Sequence, residues 1–378
     1  MTLEQKFLLD IIKASIFNNS VSIPDNCDLT ALFNLAKRHS LQVMVYVAFM
    51  RSGLAKEIPE EVKKEVYKLI LGATSLDKDS LAVIELFKEN NLKIVPFKGY
   101  NVKKLYPSPD MRFSMDFDCL IDSKQVRQVK NLLQTSGYKY RKTTDMHLEY
   151  ISKNNNVIEL HTKLFSRFLP DSFRQEVIKE FYASDMVLPY ELEYIISLAH
   201  LASHFVGGGV GIRNIIDLYL LDKKVDREFL DKKLIEFNLK EFDKQFLNLS
   251  LVVFSNKEPT EFDNTLLKYI FKSFYLGSEQ QKELYTVALN FEGDLKKAKR
   301  KSLFKKIYPS YKYMCGLYPI LKKHKLLLPW YHFIRHLTVI FKRRDHLNKL
   351  KKISDYKETE VKELKEILVG LGLDHIKE

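Results

Sequence analysis

The chain has 378 residues, of which 46% are hydrophobic and 29% charged, and its formal net charge is +13. Such a length and composition exclude a disordered chain and suit a globular protein of two or three domains. The basic excess favours an anionic partner: nucleotide phosphate, nucleic acid or an anionic membrane surface.

Cys27, Cys119 and Cys315 are far apart and lack CxxC spacing. That excludes a disulfide framework and a zinc knuckle, and fits a reducing compartment. The N-terminus, "MTLEQKFLLDIIKASIF", carries Glu4 and Asp10 among its apolar residues and reads as an amphipathic helix rather than a signal peptide. No run is long and apolar enough for a transmembrane helix. The expectation is a cytoplasmic protein.

Residues 1–91 read as a helical region. "LTALFNLAKRHSLQVMVYVAFMRS" repeats apolar residues at helical steps, and "IPEEVKKEVYKLILGATSLDKDSLAVIELFKENN" opens with Pro59 and acids, as helix starts prefer. The period changes at Leu92. "LKIVPF", "MDFDCLID", "YKYRK", "HLEYIS" and "VIELHTKLF" read as strands, "KQVRQVKNLLQTSG" as a helix and "KNNN" as a turn. The fold class is therefore α+β, with a small mixed-sheet core over 92–168 in a mostly helical chain. Helices return over 169–300, and 301–378 is a basic, aromatic helical region.

Asp116 and Asp118 lie two apart on a predicted strand, so both carboxylates face one side while Phe117 and Cys119 face a core. Two anions so close stay ionised together only around a cation, and carboxylate oxygens suit Mg²⁺ or Mn²⁺. Glu159, embedded between Ile158 and Leu160 on a later strand, is the candidate third metal ligand; its alternative is a structural bridge to Lys163 or Arg112. His161 shares its face, as a group orienting a nucleotide, a general base or a structural histidine. Upstream, Gly99 lets backbone approach a ligand, a short helix from "YNVKKLY" would turn amides toward anions, and Lys98 and Arg112 are cations for phosphate.

This layout resembles the polymerase-β-like nucleotidyltransferase superfamily, in a form with Lys98-Gly99 where Gly-Ser is usual and Glu159 where aspartate is usual. The matching residues are Lys98, Gly99, Leu105, Tyr106, Pro107, Arg112, Asp116, Asp118, Glu159 and His161. "GIRNIIDLYLL" and "LLLPWYHFIR" are also similar to segments of that family. The resemblance implies transfer of a nucleoside monophosphate from a nucleoside triphosphate such as ATP, with Mg²⁺ or Mn²⁺ on Asp116, Asp118 and Glu159, and with Lys98, Gly99, Arg112 and His161 binding substrate. The acceptor is left open among a sugar, a small antibiotic-like molecule, a tRNA end and a protein side chain. The rival is an inactive member of the fold that binds nucleic acid or membrane through the basic C-terminal region. A kinase is disfavoured, since no Walker, glycine-rich or HRD motif occurs.

Other features have plainer readings. His200 and His204 stand at i, i+4 without the acid or third ligand of a zinc site. "VGGGVGIR" lacks the order and preceding strand of a dinucleotide loop and reads as a linker between helices. Arg213 and Asp217 either line the acceptor side or pair with each other. The basic stretches 296–306 and 341–352, with Tyr308, Tyr311, Tyr313, Tyr318, Trp330 and Tyr331 between them, suit solvated helix faces, base stacking or an anionic bilayer.

Overall fold

The computed structural model of the chain describes residues 1–165, 167–255, 257–273, 279–342, 353 and 355–374. The chain divides into two compact units, Met1–Phe205 with Val210–Leu276, and Val206–Gly209 with Gly277–Glu378. The first unit opens with α1 (Leu3–Phe17), α2 (Leu29–Arg38), α3 (Gln42–Arg51) and α4 (Glu60–Glu89). Thr2 and Asp28 accept backbone N–H groups at the starts of α1 and α2, filling donors that a helix cannot satisfy internally. The apolar period over 29–52 runs at helical steps. The structure breaks it at Ser40, whose φ of 58° lies in the left-handed region and is incompatible with helix.

A five-stranded sheet follows: β1 (Ile94–Pro96), β2 (Asp116–Ile121), β3 (Lys139–Thr143), β4 (His147–Ile151) and β5 (Val157–His161), in the order β1-β2-β5-β4-β3. Only β2 and β5 run parallel. A short α5 (Gly99–Val102) follows β1, and α6 (Val126–Thr135) follows β2. Phe117, Cys119, Ile121, Leu148, Tyr150, Ile158 and Leu160 form one sheet face, packed against Leu76, Val83 and Phe87 of α4 and Val129 and Leu133 of α6. Burying such side chains stabilises by roughly 1.5–3 kcal/mol each. It commits the opposite face, carrying Asp116, Asp118, Glu159 and His161, to whatever lies on the other side. The edge strand β3 is exposed along its whole length. At the other edge, β1 has its Ile94 N–H and C=O bonded by the Tyr182 hydroxyl at 2.8 and 3.2 Å.

Further helices complete this unit: α7 (Asp171–Ala183), α8 (Tyr190–Val206), α9 (Ile212–Asp222), α10 (Arg227–Glu236), α11 (Lys240–Phe254) and α12 (Glu261–Lys272). The glycine run 207–209 falls in the loop between α8 and α9, as the sequence predicts.

The second unit holds α13 (Glu279–Leu289), α14 (Leu295–Ile307), α15 (Tyr311–Leu317), α16 (Leu328–Lys342) and α17 (Glu358–Gly370). Tyr311, Tyr318 and Tyr331 pack around Met314, Cys315 and Leu321, and the Tyr311 hydroxyl donates to Leu321 O at 2.7 Å. These three tyrosines are half-buried against that small cluster. Most of the basic run 341–352 lies outside the described residues. Among the described residues no helix is long and apolar enough to cross a membrane.

Asp79 of α4 ties the helix to the β4–β5 turn. It accepts from Ser152 Oγ, from Asn154 Nδ2 at 2.8 Å and from Asn156 Nδ2 at 2.6 Å, around Asn155 at φ 64°. Asp79→Ala strips three donors of their acceptor and is expected to destabilise the first unit by about 2–3 kcal/mol. Urea titration of both proteins checks this; a change below about 0.5 kcal/mol would show the turn to be held by other means.

Candidate active site

The polar sheet face is built by register. Asp118 pairs with Glu159 across the parallel β2–β5 ladder, and Glu159 pairs with Glu149 across β5–β4. One carboxylate from each of three adjacent strands therefore forms a row about 5 Å per step. The next row holds Leu120, His161 and His147. Asp116 stands on the other side of Asp118, half-buried, on the wall of a small solvent-open cleft that Gly99, Tyr100, Lys103 and Ser114 also line.

Lys98 carries the counter-charge. Its Nζ lies 2.8 Å from Asp118 Oδ1, with both side chains buried, and 5.1 Å from the ring centres of Phe97 and Phe165. His161 Nε2–H donates to the same Asp118 oxygen at 2.8 Å and lies 3.4 Å from Glu159 Oε2. Burial works to raise the Asp118 carboxyl, but the Lys98 ammonium and His161 outweigh it and hold it well below the usual range. Asp116 goes the opposite way: burial, then the Asp118 charge, push it up to about 6. Burial also opposes ionisation of Glu159, yet the His161 hydrogen bond and the nearby His147 bring it below its ordinary value. Burial lowers His147.

The turn after β1 places Lys98. Its φ of 52° is strained for a side-chain-bearing residue. The conformation is clamped by Glu193 of α8, which accepts the Lys98 N–H at 2.6 Å and Asn101 Nδ2 at 2.9 Å. A Cβ on Gly99 would collide with Ser114 Oγ and stand 2.8 Å from Arg112 Nη1, so any larger residue there has to displace those side chains. The Lys98 amide at this turn is thus engaged by a carboxylate.

Arg112 is likewise engaged by neighbouring side chains. It grips Asp217 of α9 through Nε and Nη2, each at 2.8 Å, and its Nη1 donates to Ser114 Oγ at 3.0 Å. The Tyr106 hydroxyl donates to Asp217 Oδ1 at 2.7 Å. All three guanidinium nitrogens are engaged by side chains of this chain, and Arg112 lines the same cleft as Asp116. Asp217 pairs with Arg112, not with Arg213. Arg213 donates to Phe113 O at 3.0 Å and lowers the Asp116 carboxyl by its charge, against burial.

Two residues, Glu193 and His147, escape sequence reasoning. Glu193 and His200 belong to a stripe Glu193–Ser197–His200–His204, polar positions at helical spacing along an otherwise apolar α8; that stripe is the missed signal. His200 and His204 meet at 2.7 Å between Nε2 atoms. Burial pushes His200 well below its usual range and His204 to about 4, with Lys98 adding to both. His147 lies directly opposite His161, which reflecting "HLEYIS" through the asparagine turn onto "VIELH" would reveal.

A small sheet with a DxD strand beside a parallel acid-bearing strand is the core of a nucleotidyltransferase. The profile of the uncharacterised nucleotidyltransferase family matches residues 25–253, and the chain belongs to that family. The match takes in α2 to α11 and so extends well beyond the sheet. No curated protein matches the sequence.

Burial drives the Glu193 carboxyl up to about 7, against its hydrogen bonds from Asn101 and Lys98. Its folded pKa lies above its unfolded value near 4.5, so the folded state binds more protons between those limits and stability falls as pH rises through that window. Glu193→Gln removes the titration. The stability difference between wild type and variant is expected to shrink from pH 4.5 to 7 and level off above. Denaturant melts across pH 4–8 without added divalent ions check this, and a pH-independent difference would refute it.

Proposed function

We propose that this protein transfers a nucleoside monophosphate from a nucleoside triphosphate to a hydroxyl-bearing acceptor. The observation that carries the reading is the placing of Asp116, Asp118 and Glu159 on one sheet face, with a buried lysine against the middle carboxylate. The donor set suits a hard divalent ion: three carboxylates share one sheet face, and Asp116 is driven toward its neutral form by burial and by Asp118, a conflict that a metal cation would relieve. Asp116, Asp118 and Glu159 would hold Mg²⁺ or Mn²⁺. When bound, such ions supply charge neutralisation to phosphate oxygens.

The chain's own residues do the rest. Lys98 keeps Asp118 ionised and is the buried ammonium available to phosphate. His161 orients Asp118 and Glu159 together. Arg112, Asp217 and Glu193 set the loop that carries Lys98 and Gly99, so they position instead of touching substrate. Preorganised charge of this kind supplies most of the rate enhancement in phosphoryl chemistry. The acceptor is a hydroxyl of a sugar, a small molecule, a tRNA end or a protein side chain. Calorimetric titration with each of the four triphosphates, with and without Mg²⁺, tests the reading. Magnesium-dependent binding is expected, with at least a tenfold loss in Asp116→Ala/Asp118→Ala. A folded protein that binds none of the four would instead be the inactive binding member of its fold.

A further feature of the second unit favours membrane contact. Trp330, Phe333 and Leu337 share one face of α16 at i, i+3, i+7, and Trp330 is 59% and Leu326 96% exposed. Lys322, Lys323 and Lys325 flank them in sequence. Exposed large apolar residues beside lysines suit an anionic bilayer, where rings insert and ammonium groups reach headgroups. Trp330 is the single tryptophan, so its emission should shift to the blue on vesicles containing phosphatidylserine and remain unchanged on purely zwitterionic ones. An unchanged spectrum on both would remove the membrane and leave the surface to nucleic acid.

A further inference from the structure

The carboxylate row explains the aspartates and Glu159 but leaves His147 without a purpose. We propose that His147, Glu159 and His161 form a mixed nitrogen and oxygen metal site that takes a transition ion, Mn²⁺ or Zn²⁺, in preference to Mg²⁺. The inference deepens the nucleotidyl-transfer reading and rests on it for what the ion does, though not for its binding.

The ligand atoms of these three residues lie within 4.8 Å of one another. Glu159 Oε2 is the hub, 3.4 Å from His161 Nε2 and 3.7 Å from His147 Nδ1. An ion bonded at about 2.0–2.2 Å to nitrogen and oxygen spans neighbouring ligands roughly 3 Å apart, so these separations are close to the edges of a coordination shell. The backbone holds them there. His147 and His161 are opposite one another on antiparallel strands, with Glu159 two residues from His161 on the same face. Their rings stand 5.1 Å apart between centres.

The imidazole nitrogens are short of partners. His147 has a buried Nε2 without a hydrogen bond, and its other nitrogen has only the 3.7 Å approach to Glu159. His161, 3% exposed, has a buried Nδ1 without a partner. The nitrogens that face Glu159 are the other two, His147 Nδ1 and His161 Nε2; an ion there takes the place of the proton that His161 Nε2 shares with Asp118, and that proton leaves to solvent. Imidazole also sets the class of ion. Mg²⁺ takes oxygen and keeps its waters, whereas Mn²⁺, Co²⁺ and Zn²⁺ accept imidazole nitrogen. Asp118 is adjacent to Glu159 in the row, so an ion held here lies beside the DxD pair. Proposed transfer would then run better with Mn²⁺ than with Mg²⁺ alone.

The test uses the metal-stripped full chain and Mn²⁺ alone, without nucleotide. Mn²⁺ is expected to bind at least tenfold more tightly than Mg²⁺ and to be displaced by Zn²⁺. Pulsed electron paramagnetic resonance should show nitrogen coupling from two imidazoles in the wild type and one in His147→Gln or His161→Gln. Mn²⁺ that binds without nitrogen coupling, nitrogen coupling indifferent to His147→Gln, or an equal concentration of Mg²⁺ displacing Mn²⁺ would each overturn the proposal. The wild-type spectrum gives this answer even if a variant fails to fold. The two readings fail separately: Mg²⁺-dependent triphosphate binding that persists without nitrogen coupling sinks only this inference. Nitrogen-bound Mn²⁺ in a protein that binds no triphosphate sinks only the transfer reading.

Discussion

The buried contact between the Lys98 ammonium and the Asp118 carboxylate, 2.8 Å long, is the constraint on which the rest of the site depends. A strand that turns Phe117 and Cys119 into an apolar core must turn Asp116 and Asp118 to its other face. There Asp118 is nearly cut off from water. An isolated ionised carboxylate in such a place would neutralise instead. Lys98 is the cation that prevents this, and its backbone adopts a left-handed φ to bring it in.

That strained turn is held from a distance. Glu193 clamps the Lys98 N–H and Asp217 clamps Arg112, and both acids come from helices about a hundred residues further along the chain. The helices after the sheet are therefore part of the site's construction and not an appended domain. This accounts for a family match that runs to residue 253 when the sheet ends at His161. It also divides the charged groups by task. Arg112 and Glu193 are saturated by protein partners, while Asp116 faces the cleft. Breaking one partner of a buried pair leaves the other uncompensated, usually a loss of several kcal/mol.

What could be read from the sequence follows the range of its signals. The face shared by Asp116 and Asp118, and by Glu159 and His161, follows from a period of two and needs no tertiary knowledge. The helix start at Pro59 and the asparagine turn at 154–156 are equally local. The roles of Arg112 and Gly99 were legible as to residue but not as to partner, because Asp217 and Ser114 are supplied by folding. Arg112 four residues before a DxD gives no sign in the sequence of its pairing with Asp217. His147 needed the β4–β5 register, and Glu193 needed a polar stripe weighed against an apolar helix. The helix break at Ser40 left no apolar gap to betray it.

The two borders of the sheet have a consequence for the protein in a crowded cell. A row of unbonded amides and carbonyls invites another chain to add a strand. Here β1 is three residues long, ends in Pro96, and has Ile94 occupied by the Tyr182 hydroxyl. At the other border β3 presents Lys139, Arg141 and Lys142 within five exposed residues, two of them paired with Glu149, so an approaching strand would meet charged side chains. Five strands are where this sheet stops, and both margins resist the edge-to-edge association through which small sheets aggregate.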